Sequence, residues 1–88
     1  MKVEALNKFY KDVDKIRDKK LLNEIKEVIL LIETASTLKS LKSVKQLTGY
    51  KNYYRIKLGD YRLGIYSNSD TVLLTRFMHR KDIYKVFP

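Results

Sequence analysis

The sequence contains no cysteine and only one histidine, His79. Without cysteine there is no disulfide scaffold, no thiol nucleophile and no thiolate-bound zinc. A single histidine cannot build a histidine-rich metal site by itself. We therefore expect neither a metal ion nor any other cofactor.

Long apolar runs are also missing. Lys2, Glu4 and Lys8 interrupt the region where a signal peptide needs an apolar stretch. No segment approaches the roughly 18 uninterrupted apolar residues of a membrane span. A chain of 88 residues has the length of one domain. We expect residues 1–88 to form a single soluble, cytoplasmic domain.

Acidic residues are scarce relative to basic ones. The chain has 19 Lys and Arg residues against 10 Asp and Glu residues, which gives a formal net charge of +9. Such an excess opposes compaction by self-repulsion, and an acidic partner would relieve it. Nucleic acid, an acidic protein and an anionic membrane are the partner classes that fit this charge.

The first half of the chain has the periodicity of two helices. In the first helix the apolar residues at helical spacing are Leu6, Phe9, Tyr10, Val13 and Ile16. Asp12 is among the charged residues predicted on the opposite side of this helix. A second helix begins near Asp18, a suitable N-cap residue, and the short connection predicts an antiparallel pair. Residues 1–4 are a candidate short strand. The Ser/Thr/Lys-rich segment 34–49 either extends the second helix or crosses the core as a loop.

The second half has the alternation of β-strands. Residues 53–58 and 61–66 flank Gly59-Asp60, and a pair with glycine first suits a tight hairpin turn. Residues 71–78 form a third predicted strand, and residues 81–87 a short amphipathic end. The expected fold class is α+β, with two N-terminal helices packed on one face of a small, mainly antiparallel sheet and a short C-terminal helical turn.

The predicted turn fixes the hairpin register. Lys57 lies opposite Arg62, and Arg55 lies two positions away on the same face. Like charges directly across a hairpin destabilise it by up to about 1 kcal/mol, and no carboxylate on this face offsets them. We interpret the three residues as a phosphate site in which a polyanion supplies the missing negative charge. The alternative is a solvated outer sheet face in a lysine-rich protein.

Aromatic residues and the end of the third predicted strand add to this site. Tyr53 and Tyr66 flank the basic residues and are candidates for stacking on RNA bases, although strands favour tyrosine in any case. His79 and Arg80 stand at the strand exit, where they suit phosphate chemistry. Tyr84 lies four residues past Arg80, which is one helical turn.

Two segments, YRIKLGDYRL at 54–63 and HRKDIY at 79–84, resemble the RelE/ParE superfamily of toxins from bacterial and archaeal toxin–antitoxin pairs. The resemblance extends over the whole chain, because the helix pair before the hairpin also fits. In this superfamily the RelE branch cleaves messenger RNA in the ribosomal A site, whereas the ParE branch inhibits DNA gyrase.

The resemblance to the RelE branch implies a set of site residues. The implied catalytic residues are Lys57, Arg62, Arg80, Tyr84 and Arg55. The candidate RNA-binding residues are Tyr53, Tyr66, His79 and Lys81. In this scheme Lys57 is the general base, Arg62 and Arg55 stabilise the transition state, Arg80 or His79 assists the leaving group, and Tyr84 stacks on the nucleotide. Arg55 stands where the best-known member has lysine, and arginine does not deprotonate in proteins.

The resemblance also implies partners. They are an acidic antitoxin protein and the ribosome with messenger RNA in its A site, with no membrane involved. The retained cationic cluster and Tyr84 favour a ribosome-dependent endoribonuclease that inhibits translation. A non-nuclease gyrase inhibitor and an inactive RNA-binding relative are the alternatives on the same fold.

Overall fold

The chain forms two helices and five strands, and the computed structural model describes all of residues 1–88. The elements are β1 (Lys2–Ala5), α1 (Asn7–Asp14), α2 (Lys19–Thr34), β2 (Val44–Gln46), β3 (Tyr53–Leu58), β4 (Tyr61–Asn68) and β5 (Thr71–His79). Two single 3-10 turns, at Leu38–Ser40 and Ile83–Lys85, precede β2 and follow β5. We call the second of these the C-terminal turn. No helix is long and apolar enough to cross a membrane.

The five strands form one sheet in the order β1-β5-β4-β3-β2. β1 runs parallel to β5, and every other neighbouring pair is antiparallel. The predicted α+β class, with a mainly antiparallel sheet, is therefore confirmed. The strand suggested at the N-terminus is also confirmed, and it pairs with β5.

Both helices pack on one face of the sheet, which we call the helix side. Asp18 caps α2 as expected, because its carboxylate accepts hydrogen bonds from the backbone N–H groups of Lys20 at 2.9 Å and Leu21 at 3.3 Å. Leu6 and Tyr10 differ from the predicted pattern, since both are exposed. α1 has only about two turns, and only the stripe around Phe9 reaches the sheet.

The hydrophobic core lies between the helices and the sheet. Its eleven buried residues are Phe9, Ile25, Ile32, Leu38, Ile56, Leu58, Leu63, Ile65, Val72, Leu74 and Phe77. The apolar face predicted for the hairpin thus points into the core, with Tyr54 and Tyr61 packed at its margin. This burial is the main force that holds the helices on the sheet.

The segment between α2 and β3 agrees with the second of the two sequence expectations in its first part only. It does not extend α2, and Leu38 and Leu41 pack on the core as a crossing loop would require. Residues 44–46, however, form the edge strand β2, paired with β3. Val44 packs against the core while Lys45 is exposed on the other face. Two later residues in the left-handed region, Gly49 at φ 81° and Asn52 at φ 70°, reverse the chain direction between the strands.

Asp12 is buried, contrary to the predicted solvent-facing position. β1 ends at Ala5, so the backbone of β5 beyond Leu74 has no strand neighbour on that side. The Asp12 carboxylate fills this gap by accepting from the Phe77 N–H at 3.0 Å and from Arg76 Nε at 2.8 Å. A buried carboxylate with these donors locks α1 onto the open edge of β5.

The pKa of Asp12 reflects the same contacts. Burial alone would raise it, but the hydrogen bonds from Arg76 and the Phe77 N–H and the positive charges of Arg76 and Lys15 outweigh burial. The pKa of Asp12 therefore lies below its ordinary value, and the pKa of Arg76 is raised by the same pair.

Candidate nucleic-acid interface

The hairpin has the register expected from its turn. Lys57 lies directly opposite Arg62, and Arg55 lies opposite Gly64. Gly59 supplies the left-handed turn conformation, with φ 59°. All three basic side chains belong to the sheet face opposite the helices, which we call the basic face. Lys57 is exposed, while Arg55 and Arg62 are half-buried.

No carboxylate neutralises these three charges. The four ion pairs of the chain are Lys2–Glu4, Arg76–Asp12, Arg80–Asp60 and Lys85–Asp82. Arg62 is instead oriented by the turn, because its Nη1 donates to the backbone oxygens of Gly59 at 2.7 Å and Tyr61 at 2.9 Å. Its Nε and Nη2 make no hydrogen bond within the protein, so they are available to an anion.

Arg80 lies at the same end of the sheet as Lys57 and Arg62. Its backbone N–H donates to the Asp60 carbonyl at 2.8 Å, which ties the chain after β5 to the hairpin turn. The Arg80 side chain is 57% exposed, and its Nε lies 3.8 Å from the Asp60 carboxylate. An exposed contact of that length contributes little and leaves the guanidinium free to bind a ligand.

The chain end folds over the basic face. Ile83 and Phe87 are buried, yet neither belongs to the core on the helix side. The Phe87 ring lies against Gly64, where a Cβ atom would come within 2.9 Å of three ring atoms. These two anchors hold the C-terminal turn in place, and they leave Tyr84 51% exposed. Tyr84 was assigned to the site from the sequence, but the folding of the chain end over the basic face was not predicted.

The tyrosines of the basic face form an aromatic cluster with Phe87. Tyr53 and Tyr66 are opposite each other on β3 and β4, with ring centroids 5.1 Å apart. Tyr53 also meets Phe87 at 5.7 Å and Tyr50 at 6.4 Å, both edge-on. Tyr53 is therefore half-buried among three rings. Tyr50, which the sequence analysis did not assign, presents an exposed ring beside them.

His79 lies on the helix side and is not brought together with the basic residues. A β-bulge opposite Gly64 and Ile65 inserts Thr75 into β5 and reverses the alternation after it. His79 therefore pairs with Tyr61, and its Nδ1 accepts from the Lys81 N–H at 3.1 Å. The roles of His79 and the exposed Lys81 in RNA binding stay predictions. No three His, Asp or Glu side chains lie close enough together to hold a metal ion.

Lys45 is a member of the basic face that the sequence analysis did not identify. It lies directly opposite Arg55, is exposed and takes part in no ion pair. Its position follows from β2 being a strand. The turn-forming residues Gly49 and Asn52 were the available signal for a hairpin that starts before residue 49.

Comparisons with known proteins show the family to which the chain belongs. Residues 3–84 match the family model described as ParE toxin of type II toxin-antitoxin system, parDE. The chain is 40% identical over 89 residues to Toxin RelE3 of Methanocaldococcus jannaschii, with 100% of both chains covered. The chain therefore belongs to the RelE/ParE superfamily of toxins from type II toxin–antitoxin systems, as its hairpin and its His-Arg segment indicated.

Solved structures show the same fold. The chain matches the RelB–RelE antitoxin–toxin complex from Methanococcus jannaschii with a TM-score of 0.81 and 38% identity, covering 96% of this chain and 98% of that one. The archaeal RelE–RelB complex from Pyrococcus horikoshii OT3 matches with a TM-score of 0.74 at 20% identity, over 92% of this chain and 96% of that one. At that lower identity the likeness concerns the fold alone.

Proposed function

We propose that this chain is the toxin of a toxin–antitoxin pair and that it cleaves messenger RNA in the ribosomal A site, which inhibits translation. The observation that carries the proposal is the Lys57–Arg62 pair, held directly opposite each other with no carboxylate to offset them. Similarity along the full chain to a protein named Toxin RelE3 supports the same assignment.

The proposed reaction uses the 2′-hydroxyl of the RNA as the nucleophile. Lys57 removes its proton, the 2′-oxygen attacks the neighbouring phosphorus, and the bond to the 5′-oxygen of the next nucleotide breaks. The products are a 2′,3′-cyclic phosphate and a 5′-hydroxyl end. Negative charge accumulates on the phosphate oxygens, where Arg62 and Arg55 stabilise the transition state.

Arg80 is the better placed of the two candidates for assisting the leaving group. It is tied to the hairpin turn, whereas His79 lies on the helix side. Because arginine does not give up its proton, Arg80 stabilises the departing 5′-oxygen by charge and hydrogen bonding, and water supplies the proton. Tyr84, exposed on the anchored C-terminal turn, orients the nucleotide by stacking.

An acidic antitoxin is the proposed partner that silences this site. The net charge of +9 favours an acidic partner, and the similar structure from Methanococcus jannaschii is that of a RelB–RelE antitoxin–toxin complex. An acidic, partly disordered segment that folds on binding would neutralise the basic face and block RNA from it. In this role the toxin acts on ribosomes in the cytoplasm.

The test is to induce the chain without an antitoxin and map the 5′ ends of messenger RNA. Cuts in frame with codons are the expected result for ribosome-coupled cleavage. Lys57→Ala and Arg62→Ala variants, folded to the same extent as the parent, are expected to lose these cuts. If both variants cut ribosome-bound messenger at the parent rate, the catalytic scheme is wrong.

Inhibition of DNA gyrase is the second candidate, favoured by the ParE description of the matching family. It would not need Lys57 as a base. In a supercoiling assay with purified gyrase, inhibition by the parent chain would support this function. In cells, blocked DNA replication with DNA damage would support gyrase inhibition, whereas early loss of protein synthesis would support RNA cleavage.

A further inference from the structure

A second pair of like charges lies beside the first. Lys45 on β2 is directly opposite Arg55 on β3, just as Lys57 on β3 is directly opposite Arg62 on β4. We call Lys57–Arg62 the first rung and Lys45–Arg55 the second rung. Both rungs are on the basic face, and none of their four side chains forms an ion pair.

The spacing between the two rungs matches the spacing between neighbouring phosphates of one RNA strand. Arg55 and Lys57 are two residues apart on β3, a distance of about 7 Å along an extended strand. That is on the scale of the separation between neighbouring phosphates in single-stranded RNA. The second rung is also one strand closer to the edge of the sheet, since β2 is the outermost strand.

No ion pair within the free protein offsets the repulsion between Lys45 and Arg55 in the second rung. Like charges directly across two strands destabilise a sheet, and each rung repeats this arrangement without a carboxylate partner. Val44, the neighbour of Lys45, supplies the apolar contact that holds β2 on the core. We therefore expect Lys45 to be dispensable for folding, and an external anion would account for its position.

We propose that Lys45 binds the phosphate next to the one at Lys57 and Arg62, with Arg55 between the two phosphates, so that single-stranded RNA runs from the hairpin turn toward β2. This inference rests on the proposed RNA substrate. Tyr53 lies two positions before Arg55 on the same face, and the exposed Tyr50 has its ring centroid 6.4 Å from that of Tyr53. Rings beside a phosphate row suit bases, which an acidic polypeptide does not provide.

The test measures binding of a fluorescent single-stranded RNA, 2′-O-methylated so that it cannot be cleaved, as a function of salt concentration. Each phosphate contact contributes about 0.7 to the slope of log K against log salt. We expect Lys45→Gln to make the slope shallower by about 0.7, or about fivefold weaker binding at 0.1 M salt. Lys45→Arg should keep the parent slope. Lys26→Gln, the same charge change on the exposed surface of α2, should also keep it.

Thermal unfolding of the same variants provides a second measurement that does not depend on RNA. Removing a like charge from the second rung should raise the unfolding midpoint of Lys45→Gln by roughly 2–4 °C. Weaker RNA binding together with higher stability is the signature of a residue retained for a ligand. A lower midpoint for Lys45→Gln would show a structural role and overturn the inference.

The outcomes separate this inference from the proposed function. If the parent binds RNA and Lys45→Gln keeps its slope, the second rung is not a phosphate site, while RNA cleavage at the first rung stands. If the parent binds no RNA even at low salt, this inference is overturned, while the proposed function is decided separately by the mapping of messenger RNA 5′ ends. If Lys45→Gln weakens binding of polyglutamate but not of RNA, Lys45 contacts an acidic protein, and the RNA assignment is wrong.

Discussion

The contact between Gly64 and Phe87 gives the sharpest test of how the chain end is held on the basic face. The perturbation is Gly64→Ala, which adds a single methyl group in the middle of β4. In a strand without a close neighbour, this change should stabilise the protein by about 0.4–1 kcal/mol, because alanine restricts the unfolded chain. Here the new Cβ would lie 2.9 Å from three atoms of the Phe87 ring.

The geometry gives the expected magnitude. Carbon atoms in favourable contact are about 3.5–4.0 Å apart, so the ring must move by roughly 0.6–1 Å. Overpacking of this kind costs about 1–3 kcal/mol, which exceeds the gain from the unfolded state. We expect Gly64→Ala to lower the free energy of unfolding by about 1–2 kcal/mol. In a Phe87→Ala background the obstacle is gone, and the same methyl group should stabilise by about 0.5 kcal/mol.

A double-mutant cycle measures this coupling. Urea unfolding of the parent, Gly64→Ala, Phe87→Ala and the double variant gives the four free energies that are needed. The effect of Gly64→Ala should change sign between the two backgrounds. An equal effect in both would refute the contact, and with it the account of how Tyr84 is positioned. If the contact is present, Phe87→Ala should also reduce cleavage, since Tyr84 loses its anchor.

Two further predictions concern the buried ion pair and the proposed base. Asp12→Asn should cost about 2–3 kcal/mol at pH 7, because Arg76 loses its charged partner in a largely buried position. The pKa of Asp12 is lowered by folding, so its contribution is complete above the ordinary carboxyl pKa near 4 and is lost as pH falls through the folded value. The stability difference between parent and Asp12→Asn, measured by urea unfolding, should therefore shrink from pH 7 to pH 3, and a constant difference would contradict this reasoning. Lys57→Arg keeps the charge but cannot accept a proton. If Lys57 is the base, ribosome-dependent cleavage should fall by roughly a hundredfold or more in both Lys57→Arg and Lys57→Ala, whereas near-parent activity in Lys57→Arg would show that only its charge matters.

The sequence by itself determined the elements that depend on neighbouring residues. Gly59 favours a turn, and the period-two alternation on either side aligns Lys57 with Arg62. Asp18 caps the helix that follows it within three residues. These features need no knowledge of distant contacts, which is why the hairpin register and the fold class were predictable.

Tertiary structure decided which residues meet across the sheet. Asp12 pairs with a residue 64 positions away only because β1 ends early and leaves β5 open at that point. Phe87 covers the basic face because Gly64 leaves room for a ring, and a β-bulge at Thr75 turns His79 to the helix side. A bulge or a strand end shifts every later side chain on its strand, and a pattern of single residues does not encode where such shifts occur. The basic residues of the hairpin were therefore predictable from the sequence. The packing of the whole chain decided that the chain end covers the basic face and that this face extends to Lys45.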